Sequence, residues 1–552
     1  MAETRSASSP QGPGVFTRKS SGLVRVMSPR SAIIYNILTM GIIFPWTFVW
    51  APTAFQGSNL VIGLIIAFVF ELPLALSYAW LASALPRSGG DYVFQSRTFG
   101  GGFGFTVVFG LFVVWILQWV ALSGWLMAVL GIAPLMFGLS ATTGVAGFAT
   151  VGAWASGSTG IIIISLANAL LSMILLISGF KNYVRFQIVI FISVLLAFAI
   201  MLVLFFTSNP QTFTTHINSF AATTAGIKDF MGSATAAAAH AGVNVTPPAT
   251  FFGTLMVAPI AWTSLQWATY SVEQGSEVKN AHSFKNQVVI LAGSLIAVTV
   301  LLILLALGLQ HGVGQKGIMV ASSGYWLGVG EATLNGTLLM PNLLAIVLTS
   351  STVLVVLIGL GYMLNSFQIV CNCFIGTTRI LVAQALDGLL PSWFAQVSPR
   401  WKTPVNAHVA YFIASIPVIF AYNLVSDWST RWALGVTFAN GLTLTLSGLA
   451  AALLPIRNRA IYEASPGSRY NLARFPLVTL LGGLGFIFGM FMVISFLVVK
   501  GLGLAFNPDD PTSYLLVIGS VVFALVVYLL MRWHRSRGGV NVSHAFSEIP
   551  PE

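Results

Sequence analysis

Twelve stretches of about 20 mostly apolar residues follow one another along this 552-residue chain. A helix of about 20 residues crosses the roughly 30 Å hydrocarbon core of a bilayer. Because charged residues make up only 7% of the chain, little sequence remains for a soluble domain. The sequence therefore predicts an all-α membrane protein with 12 transmembrane helices, at residues 31–53, 60–84, 103–133, 160–180, 186–207, 251–272, 287–311, 341–381, 407–426, 431–455, 475–499 and 513–532.

The lysines and arginines predict which side of the membrane each loop faces. With 12 spans and a cytoplasmic N-terminus, 21 of the 25 Lys and Arg lie on the cytoplasmic side, where loops are enriched in these residues. Residues 341–381 count as one span, since splitting them would leave 13 inside and 12 outside. We expect a multi-pass protein of the plasma membrane with both termini cytoplasmic. The net charge of +11 then reports orientation and not affinity for nucleic acid.

Polar and low-complexity segments mark the tails and the longest loops. Residues 1–30 are polar and basic without the pattern of a cleavable signal peptide, so we expect a disordered cytoplasmic tail there. We expect residues 533–552 to form a second cytoplasmic tail and residues 31–532 to form one membrane domain of twelve helices. The Gly, Ser and Thr density of residues 140–160 and the Ala/Thr-rich residues 221–250 predict outer loops.

The sixth span, residues 251–272, is interrupted in its middle. Pro259 removes a backbone donor, and the polar and aromatic residues from Trp262 to Tyr270 need partners that lipid does not offer. Irregular backbone at that depth is tolerated only where it is buried in protein or lines a water-filled cavity. Glu273 then returns the chain to water. We predict a membrane helix broken around a binding site.

Three predicted cytoplasmic loops carry more specific sequence than a loop requires. They contain Leu85-Pro86-Arg87-Ser88-Gly89-Gly90-Asp91-Tyr92, Gly275-Ser276-Glu277-Val278-Lys279-Asn280 and Ala385-Leu386-Asp387-Gly388-Leu389-Leu390-Pro391. Shorter matches are Gly179-Phe180-Lys181 and Leu454-Pro455-Ile456-Arg457. In this order and on one membrane side, these motifs resemble the amino acid–polyamine–organocation (APC) superfamily of permeases over nearly the whole chain.

The resemblance implies two inverted repeats of five helices, the leucine-transporter-type fold, at about residues 31–207 and 251–455. Two peripheral helices follow at about residues 475–532. The first helix of each repeat is interrupted at mid-membrane in this fold, so spans one and six form the broken pair. Span one offers Gly41 and Pro45 for its break. Many members have a glycine-rich break such as Gly-Ser-Gly there, and this chain has Gly41 alone.

The two breaks predict an amino acid site between spans one and six. The positive end of a half-helix suits a carboxylate, and unwound carbonyls suit an ammonium group. We therefore expect the carboxylate at the amides of Thr39, Met40 and Gly41. The amine is expected at the carbonyls of Ser264 and Leu265.

Three aromatic residues of span six are candidates to enclose the substrate side chain. Trp267 lies closest to the predicted break, while Trp262 and Tyr270 would form a thin gate. Ordinary helix packing or a belt at the membrane interface explains the same aromatics equally well. No Lys, Arg or His lies at mid-membrane in a predicted span, so the site favours neutral amino acids.

The coupling ion, a proton or sodium, is left open by the sequence. Glu71 is the one carboxylate well inside a predicted span. It either exchanges protons during transport or stays neutral against backbone carbonyls freed by Pro73. Asn365 and Asn372 share one face of span eight, where they either belong to the sodium site that the resemblance implies or hydrogen-bond between helices.

An inner gate is a further hypothesis for the cytoplasmic loops. Three acidic residues there could exchange ion pairs with three basic residues as the protein opens inward. The acidic residues are Asp91, Glu277 and Asp387, and the basic residues are Arg87, Lys279 and Arg379. The alternative is that these loops provide only turn geometry and topological anchoring.

The predicted function is secondary active transport of amino acids by alternating access, as a symporter. An enzyme is not expected, because no cluster of acid/base residues or nucleophile elbow occurs. Cys371 and Cys373 face different directions on a helix, which argues against a metal or disulfide. No cofactor is expected, and the partners are the substrate and the bilayer. An amino acid exchanger, or a non-transporting sensor on the same fold, are the alternatives.

Overall fold

The chain folds into a bundle of α-helices joined by short connections. The computed structural model describes residues 22–43, 46–425, 428–502, 511–538 and 542–546. Within these ranges the strands form two small antiparallel hairpins. They pair β1 (Thr333–Leu334) with β2 (Thr337–Leu338), and β3 (Asn471–Leu472) with β4 (Phe475–Pro476).

The described residues contain 22 α-helices. They are α1 (Pro29–Met40), α2 (Trp46–Ala54), α3 (Leu60–Ala84), α4 (Gly90–Phe99), α5 (Gly101–Val107), α6 (Val114–Leu126), α7 (Ala133–Thr143), α8 (Ala146–Ser156), α9 (Ser158–Ile177), α10 (Phe180–Thr207), α11 (Pro210–Ala225), α12 (Phe230–His240), α13 (Phe251–Leu265), α14 (Phe284–Gly312), α15 (Gly314–Trp326), α16 (Pro341–Val347), α17 (Thr352–Leu386), α18 (Val405–Leu424), α19 (Trp428–Arg457), α20 (Arg459–Ala464), α21 (Leu477–Val498) and α22 (Thr512–Arg537). Two π-helical stretches occur at Val108–Val113 and Met127–Ile132. The 3-10 segments are Gln266–Glu273, Gly275–Glu277, Gly330–Ala332, Ser392–Ala395, Lys500–Leu502 and Val542–Phe546.

Ten helices in the described part of the chain are long and apolar enough to cross a membrane. They are Leu60–Ala84, Gly101–Thr143, Ser158–Ile177, Phe180–Thr207, Phe284–Gly312, Thr352–Leu386, Val405–Leu424, Gly435–Arg457, Leu477–Val498 and Thr512–Arg537. The prediction of an all-α membrane protein is thereby confirmed. Two of the predicted spans, 31–53 and 251–272, do not form such a helix, and these are the two that were predicted to be interrupted.

The first span is divided after Met40. Ser28 caps the start of α1 by accepting a hydrogen bond from the Ser31 N–H at 3.2 Å. The helix ends where Gly41 adopts a left-handed conformation with φ 68°, which glycine tolerates best. α2 begins at Trp46. Residues 41–43, which follow α1, form a turn and no helix.

The sixth span changes its winding after Leu265. Pro259 lies inside α13, and the chain continues from Gln266 as a 3-10 helix. The interruption therefore comes after the proline, close to the predicted position at Ser264. A tighter 3-10 stretch inside a helix often marks a functional position.

Asn36 of α1 joins the two interrupted spans. Its Nδ2 donates to the Ser271 Oγ at 3.1 Å, and its Oδ1 accepts from the Ser271 N–H at 3.0 Å. Both partners are buried. This pair of hydrogen bonds fixes α1 against the 3-10 helix Gln266–Glu273.

Other predicted segments differ in detail from the structure. The predicted span 341–381 covers the short helix α16 and most of the long helix α17, and α17 alone is long enough to cross a membrane. The predicted outer loop at residues 140–160 contains the short helix α8. The segment 221–250 contributes to α11 and forms α12, because its alanines favour helix. The tail residues 1–21 lie outside the described residues.

Glycines bring α21 close to its neighbours α3 and α19. A Cβ at Gly485 would lie 2.9 Å from the Leu74 Cα, and a Cβ at Gly482 would lie 2.5 Å from the Ala452 N. Helices in lipid associate through such close backbone approach, since no hydrophobic driving force remains between them. α21 therefore packs closely on α3 and α19 at these two glycines.

Candidate transport site

Two adjacent cavities lie where the interrupted spans meet. One has a volume of about 10 Å³ and is lined by Thr39, Met40, Gly41, Trp46, Trp119, Leu126, Thr263, Ser264, Trp267 and Ile369. The other has a volume of about 20 Å³ and is lined by Thr39, Ile116, Trp119, Trp267, Tyr270, Ile369, Asn372 and Cys373. Both interruptions thus contribute to one region. Of the predicted substrate residues, Leu265 is fully buried and lines neither cavity.

Aromatic rings form the wall that the two cavities share. The Trp119 and Trp267 rings meet edge to face at 5.6 Å, and the Trp267 and Tyr270 rings do so at 5.3 Å. The Trp267 indole N–H donates to the Thr263 carbonyl at 3.0 Å. With its polar group satisfied inside the helix, Trp267 offers an apolar surface to the cavities.

At the first interruption, the end of α1 offers backbone carbonyl groups as hydrogen-bond acceptors. The Gly41 N–H donates to the Ile37 carbonyl at 3.3 Å, so this amide already has a partner. α1 ends here, and the last turn of a helix leaves carbonyls without an intrahelical partner. The first N–H groups of any helix lack an intrahelical partner, and α2 begins at Trp46, which lines a cavity. The expected contact of a carboxylate with the amides of Thr39, Met40 and Gly41 stays a prediction.

Trp262 and Glu71 bind each other beside the cavities. The Trp262 Nε1 donates to the Glu71 Oε2 at 2.6 Å, and both side chains are buried. Glu71 Oε1 has no hydrogen-bond partner within the described residues. Trp262 does not line either cavity. The partner of Glu71 is thus an indole of span six and not a backbone carbonyl freed by Pro73.

Span eight contributes an amide cluster that faces α1. The Asn372 Nδ2 donates to the Thr39 Oγ1 at 2.6 Å, and the Asn365 Nδ2 donates to the Leu38 carbonyl at 3.1 Å. Tyr183 of α10 donates to the Asn372 Oδ1 at 2.5 Å. These bonds join three helices. Amide nitrogens here contact the α1 oxygens that a cation site between spans one and eight would use.

The side of the bundle that carries residues 22–28 is tightly closed, and we call it the N-terminal side. The Met27 N–H donates to the Glu277 carbonyl at 2.9 Å, and the Lys279 N–H donates to the Met27 carbonyl at 2.8 Å. The neighbouring loop joins in, since Gly89 donates its N–H to the Glu273 carbonyl at 2.9 Å. The segment after span six therefore lies between two other backbone segments.

Two buried ion pairs tie α17 to this N-terminal side. Arg379 binds both carboxylate oxygens of Glu277, at 2.7 and 2.9 Å, and Arg97 binds both of Asp387, at 2.6 and 3.0 Å. All four side chains are 1% exposed. The pairing of Glu277 with Arg379 was among those considered from the sequence. Asp387 instead binds Arg97, which is not among the basic residues that the sequence suggested for the gate.

Sequence reasoning missed the contribution of the third span. Ile116, Trp119 and Leu126 lie in α6, between the π-helical stretches Val108–Val113 and Met127–Ile132. Stretches of π-helix inside α-helices occur frequently at functional sites. The residues here are apolar within an apolar helix, so their composition gave no signal.

Comparison with known proteins identifies the family. A family model described as "Amino acid permease" matches residues 30–531. The chain belongs to the amino acid permease family. This permease is also 32% identical, over 95 residues, to "Uncharacterized protein 399" of Sulfolobus islandicus rod-shaped virus 1. That match covers 17% of this chain and only 23% of the viral protein.

Family and geometry agree on the general activity. Members of the family transport amino acids across membranes, and this permease has many apolar helices around a central region with two interruptions. Its predicted resemblance to APC permeases is confirmed over nearly the whole chain. The cavity residues are thereby candidates to contact an amino acid.

Proposed function

We propose that this permease is a secondary active transporter of neutral amino acids that works by alternating access in the plasma membrane. The observation that carries the proposal is the composition of the two cavities. Their described lining residues are aromatic, aliphatic or uncharged polar, and no charged side chain is among them. Such a surface suits a neutral, apolar or aromatic side chain, because a charged one would lose its hydration without gaining a partner.

The two interruptions would hold the backbone groups of the substrate. The start of α2 directs N–H donors and the positive end of a helix dipole into this region, which suits the carboxylate. The last carbonyls of α1 and α13, around Gly41 and Ser264, suit the ammonium group. Trp267, Trp119 and Tyr270 would then surround the side chain.

Alternating access would use the closures on either side of the cavities. The N-terminal side, which the distribution of Lys and Arg assigns to the cytoplasm, would open by separating Arg379 from Glu277 and Arg97 from Asp387. On the opposite side, Trp46 packs against Tyr325 at 5.6 Å and against Trp125 at 6.5 Å. Opening there would separate these rings.

The coupling ion is proposed to be a proton. A sodium site would require oxygen ligands directed at the cation, whereas Asn365 and Asn372 direct amide nitrogens at the oxygens of α1. This orientation supports a role for both residues in holding helices together. Glu71 is a first candidate for the proton, because a buried carboxyl without a cation is costly when ionised.

Uptake into proteoliposomes tests this function directly. The purified full chain would be reconstituted and given a panel of radiolabelled amino acids, with pH and sodium gradients imposed separately. We expect uptake and counterflow of neutral apolar or aromatic amino acids, with accumulation driven by the pH gradient. Absence of uptake and counterflow for the whole panel would contradict transport and favour a sensor.

A further inference from the structure

A second pair of buried acidic residues lies on the N-terminal side, outside the ion pairs described above. Asp91 lies in the first turn of α4, and Glu273 is the last residue of the 3-10 helix Gln266–Glu273. Their exposures are 1% and 0%. Both residues follow a predicted membrane span and lie outside the ten helices long enough to cross a membrane.

The hydrogen bonds around the pair show different roles for its two members. Tyr78 and Ser447 both donate hydroxyl hydrogen bonds to the Asp91 Oδ1, each at 2.5 Å. The Asp91 N–H donates to the Glu273 Oε1 at 3.1 Å. The Glu273 Oε2 is buried without a donor among the described residues. Asp91 is therefore surrounded by donors, and Glu273 has one oxygen that lacks them.

The hydrogen bond from the Asp91 N–H places the Glu273 carboxyl beside the Asp91 side chain, and burial raises the pKa of both carboxyls. Two buried carboxylates this close repel each other, so one of the two retains a proton. Asp91 already accepts two hydroxyl bonds, which stabilise its ionised form. The proton accordingly belongs on Glu273, where it also satisfies the oxygen without a donor. The two carboxyl groups therefore hold one proton between them.

Neither Asp91 nor Glu273 forms an ion pair with a lysine, arginine or histidine among the described residues. Helices α1, α3, α13, α14 and α17 pack on the 3-10 helix, and α5, α17 and α19 pack on α4. Their described titratable groups and those of the adjoining loops include Arg30, Tyr35, Glu71, Tyr78, Arg87, Tyr92, Arg97, Tyr270, Glu277, Lys279, His282, Lys285, His311, Tyr362, Cys371, Cys373, Arg379, Asp387 and Arg457.

The arginines closest in the fold are already committed to other carboxylates. Arg97 is bound to Asp387, and Arg379 is bound to Glu277. Burial raises the pKa of Glu273 well above its ordinary value, and the Asp91 carboxylate adds to that rise. Two buried carboxyls that face each other cannot both ionise without a large cost. The proton is therefore retained while this side remains closed.

Glu273 connects the cavities to the closure of the N-terminal side. In a 3-10 helix, residues three apart lie on the same face, so Glu273 follows directly below Tyr270, which lines a cavity. Glu277 lies four residues further on and forms the ion pair with Arg379. Movement that separates Glu277 from Arg379 would also move Glu273 relative to Asp91, which is held by Tyr78 of α3 and Ser447 of α19.

We propose that the Asp91–Glu273 pair is the proton-binding site through which transport is coupled to a proton gradient. The pair holds one proton while the N-terminal side is closed and releases it when opening separates the two carboxyls and admits water. This inference rests on the proposed transport function, but it places the coupling proton on Glu273 and not on Glu71.

The variant Glu273→Gln tests the site, because its amide can still donate to Asp91 but cannot release a proton. In proteoliposomes we expect it to retain amino acid counterflow while losing accumulation driven by a pH gradient. Glu71→Gln should lose less accumulation than Glu273→Gln. The exposed Glu463→Gln, whose side chain is 58% exposed, is the matched control and should resemble the wild type.

The outcomes separate the inference from the function on which it rests. If the wild type shows neither uptake nor counterflow, the transport function and the inference are both overturned. If the wild type transports but Glu273→Gln still accumulates substrate along a pH gradient, the inference alone is overturned. Loss of accumulation in Glu71→Gln with Glu273→Gln unaffected would overturn it in favour of Glu71.

Infrared difference spectroscopy provides a second measurement should Glu273→Gln fail to fold. The purified wild type should show the C=O stretch of a protonated carboxyl that disappears when substrate and high pH open the N-terminal side. Asp91→Asn should shift the frequency of this band, since the protonated Glu273 would then face a neutral amide and not a carboxylate. A band that persists unchanged in folded Asp91→Asn would overturn the proposed pair.

Discussion

Single side chains decide what the cavities can bind. Trp267 contributes a large apolar surface because its N–H is satisfied by the Thr263 carbonyl. Cys373 lines a cavity, whereas Cys371, two residues earlier, is fully buried and lines neither of the two. The chain contains only these two cysteines. Cys373 is therefore a native thiol probe of the cavity, and the buried Cys371 is its control.

Thiol labelling should distinguish the two cysteines. Cys371→Ala leaves only the cavity thiol, and we expect a small membrane-permeant thiol reagent to label it and to inhibit transport. A transported amino acid should slow the labelling, because it occupies the same space. Cys373→Ala should resist inhibition. Equal labelling in the two variants, without protection by substrate, would contradict the assignment of the cavity.

Truncating Trp267 should weaken substrate binding more than it disturbs folding. Removing a buried aromatic anchor costs about 2 kcal/mol or more of binding free energy, which is roughly 30-fold in Kd. We expect Trp267→Ala to raise the KM for uptake on that scale. Trp154, which is 46% exposed, provides the control variant Trp154→Ala. An unchanged KM in Trp267→Ala would remove this residue from the site.

At the scale of elements, close helix approaches position the aromatic wall. Gly376 of α17 faces Tyr270, and a Cβ there would lie 2.3 Å from the Tyr270 hydroxyl oxygen. The Tyr270 ring has little freedom to retreat, since Tyr35 stacks on it at 6.0 Å and Trp267 meets it edge to face. The glycine thus fixes the distance between α17 and the 3-10 helix.

Gly376→Ala should therefore alter transport through Tyr270. A side chain added in a filled core typically costs about 1–3 kcal/mol, and here it would displace a cavity residue. We expect a higher KM and a lower Tm than in the wild type. Gly293 of α14 has no atom within 4 Å of its potential Cβ, so Gly293→Ala should leave KM unchanged. Identical behaviour of the two variants would show that α17 tolerates the methyl group.

The sequence predicted the positions of the helices better than it predicted which side chains line the cavities. Apolar length is enough to identify the ten long helices, and Gly41 with the polar run after Pro259 indicated the two interruptions. The position of the second interruption was less predictable, because α13 accommodates Pro259 and changes only after Leu265. Ile116 and Trp119 could not be found, since an apolar residue facing a cavity resembles one facing lipid. Tertiary packing alone distinguishes them.

At the scale of the whole molecule, the N-terminal side is closed by buried charges. Arg379 and Glu277 belong to different helical segments, and both side chains are almost completely shielded from water. The sequence suggested this pairing, but the partner of Asp387 depended on how α4 packs beside α17. Loop sequence contains no information on that packing. Opening of this side must expose both ion pairs to water, so several segments have to move together.

Removing Arg379 should destabilise the closed side. A buried charge left without its partner costs about 3–5 kcal/mol, so we expect Arg379→Met to lower the Tm and slow transport. Replacing both residues, as Arg379→Met with Glu277→Met, should recover much of the Tm. The surface pair of Arg459 and Glu463 is exposed, and Arg459→Met should change the Tm little. Unchanged transport in Arg379→Met would contradict a gating role.

The two π-helical stretches of the third span have a consequence for how relatives of this chain are compared. A π-helical turn contains one residue more than the α-helical turn it replaces. Deleting one residue from Val108–Val113 would restore regular α-helix and rotate the following residues by about 100°, which would carry Trp119 away from the cavities. Permeases that gained or lost such a residue would present a different set of side chains to their substrates. An alignment without a gap there would pair residues that face different surroundings.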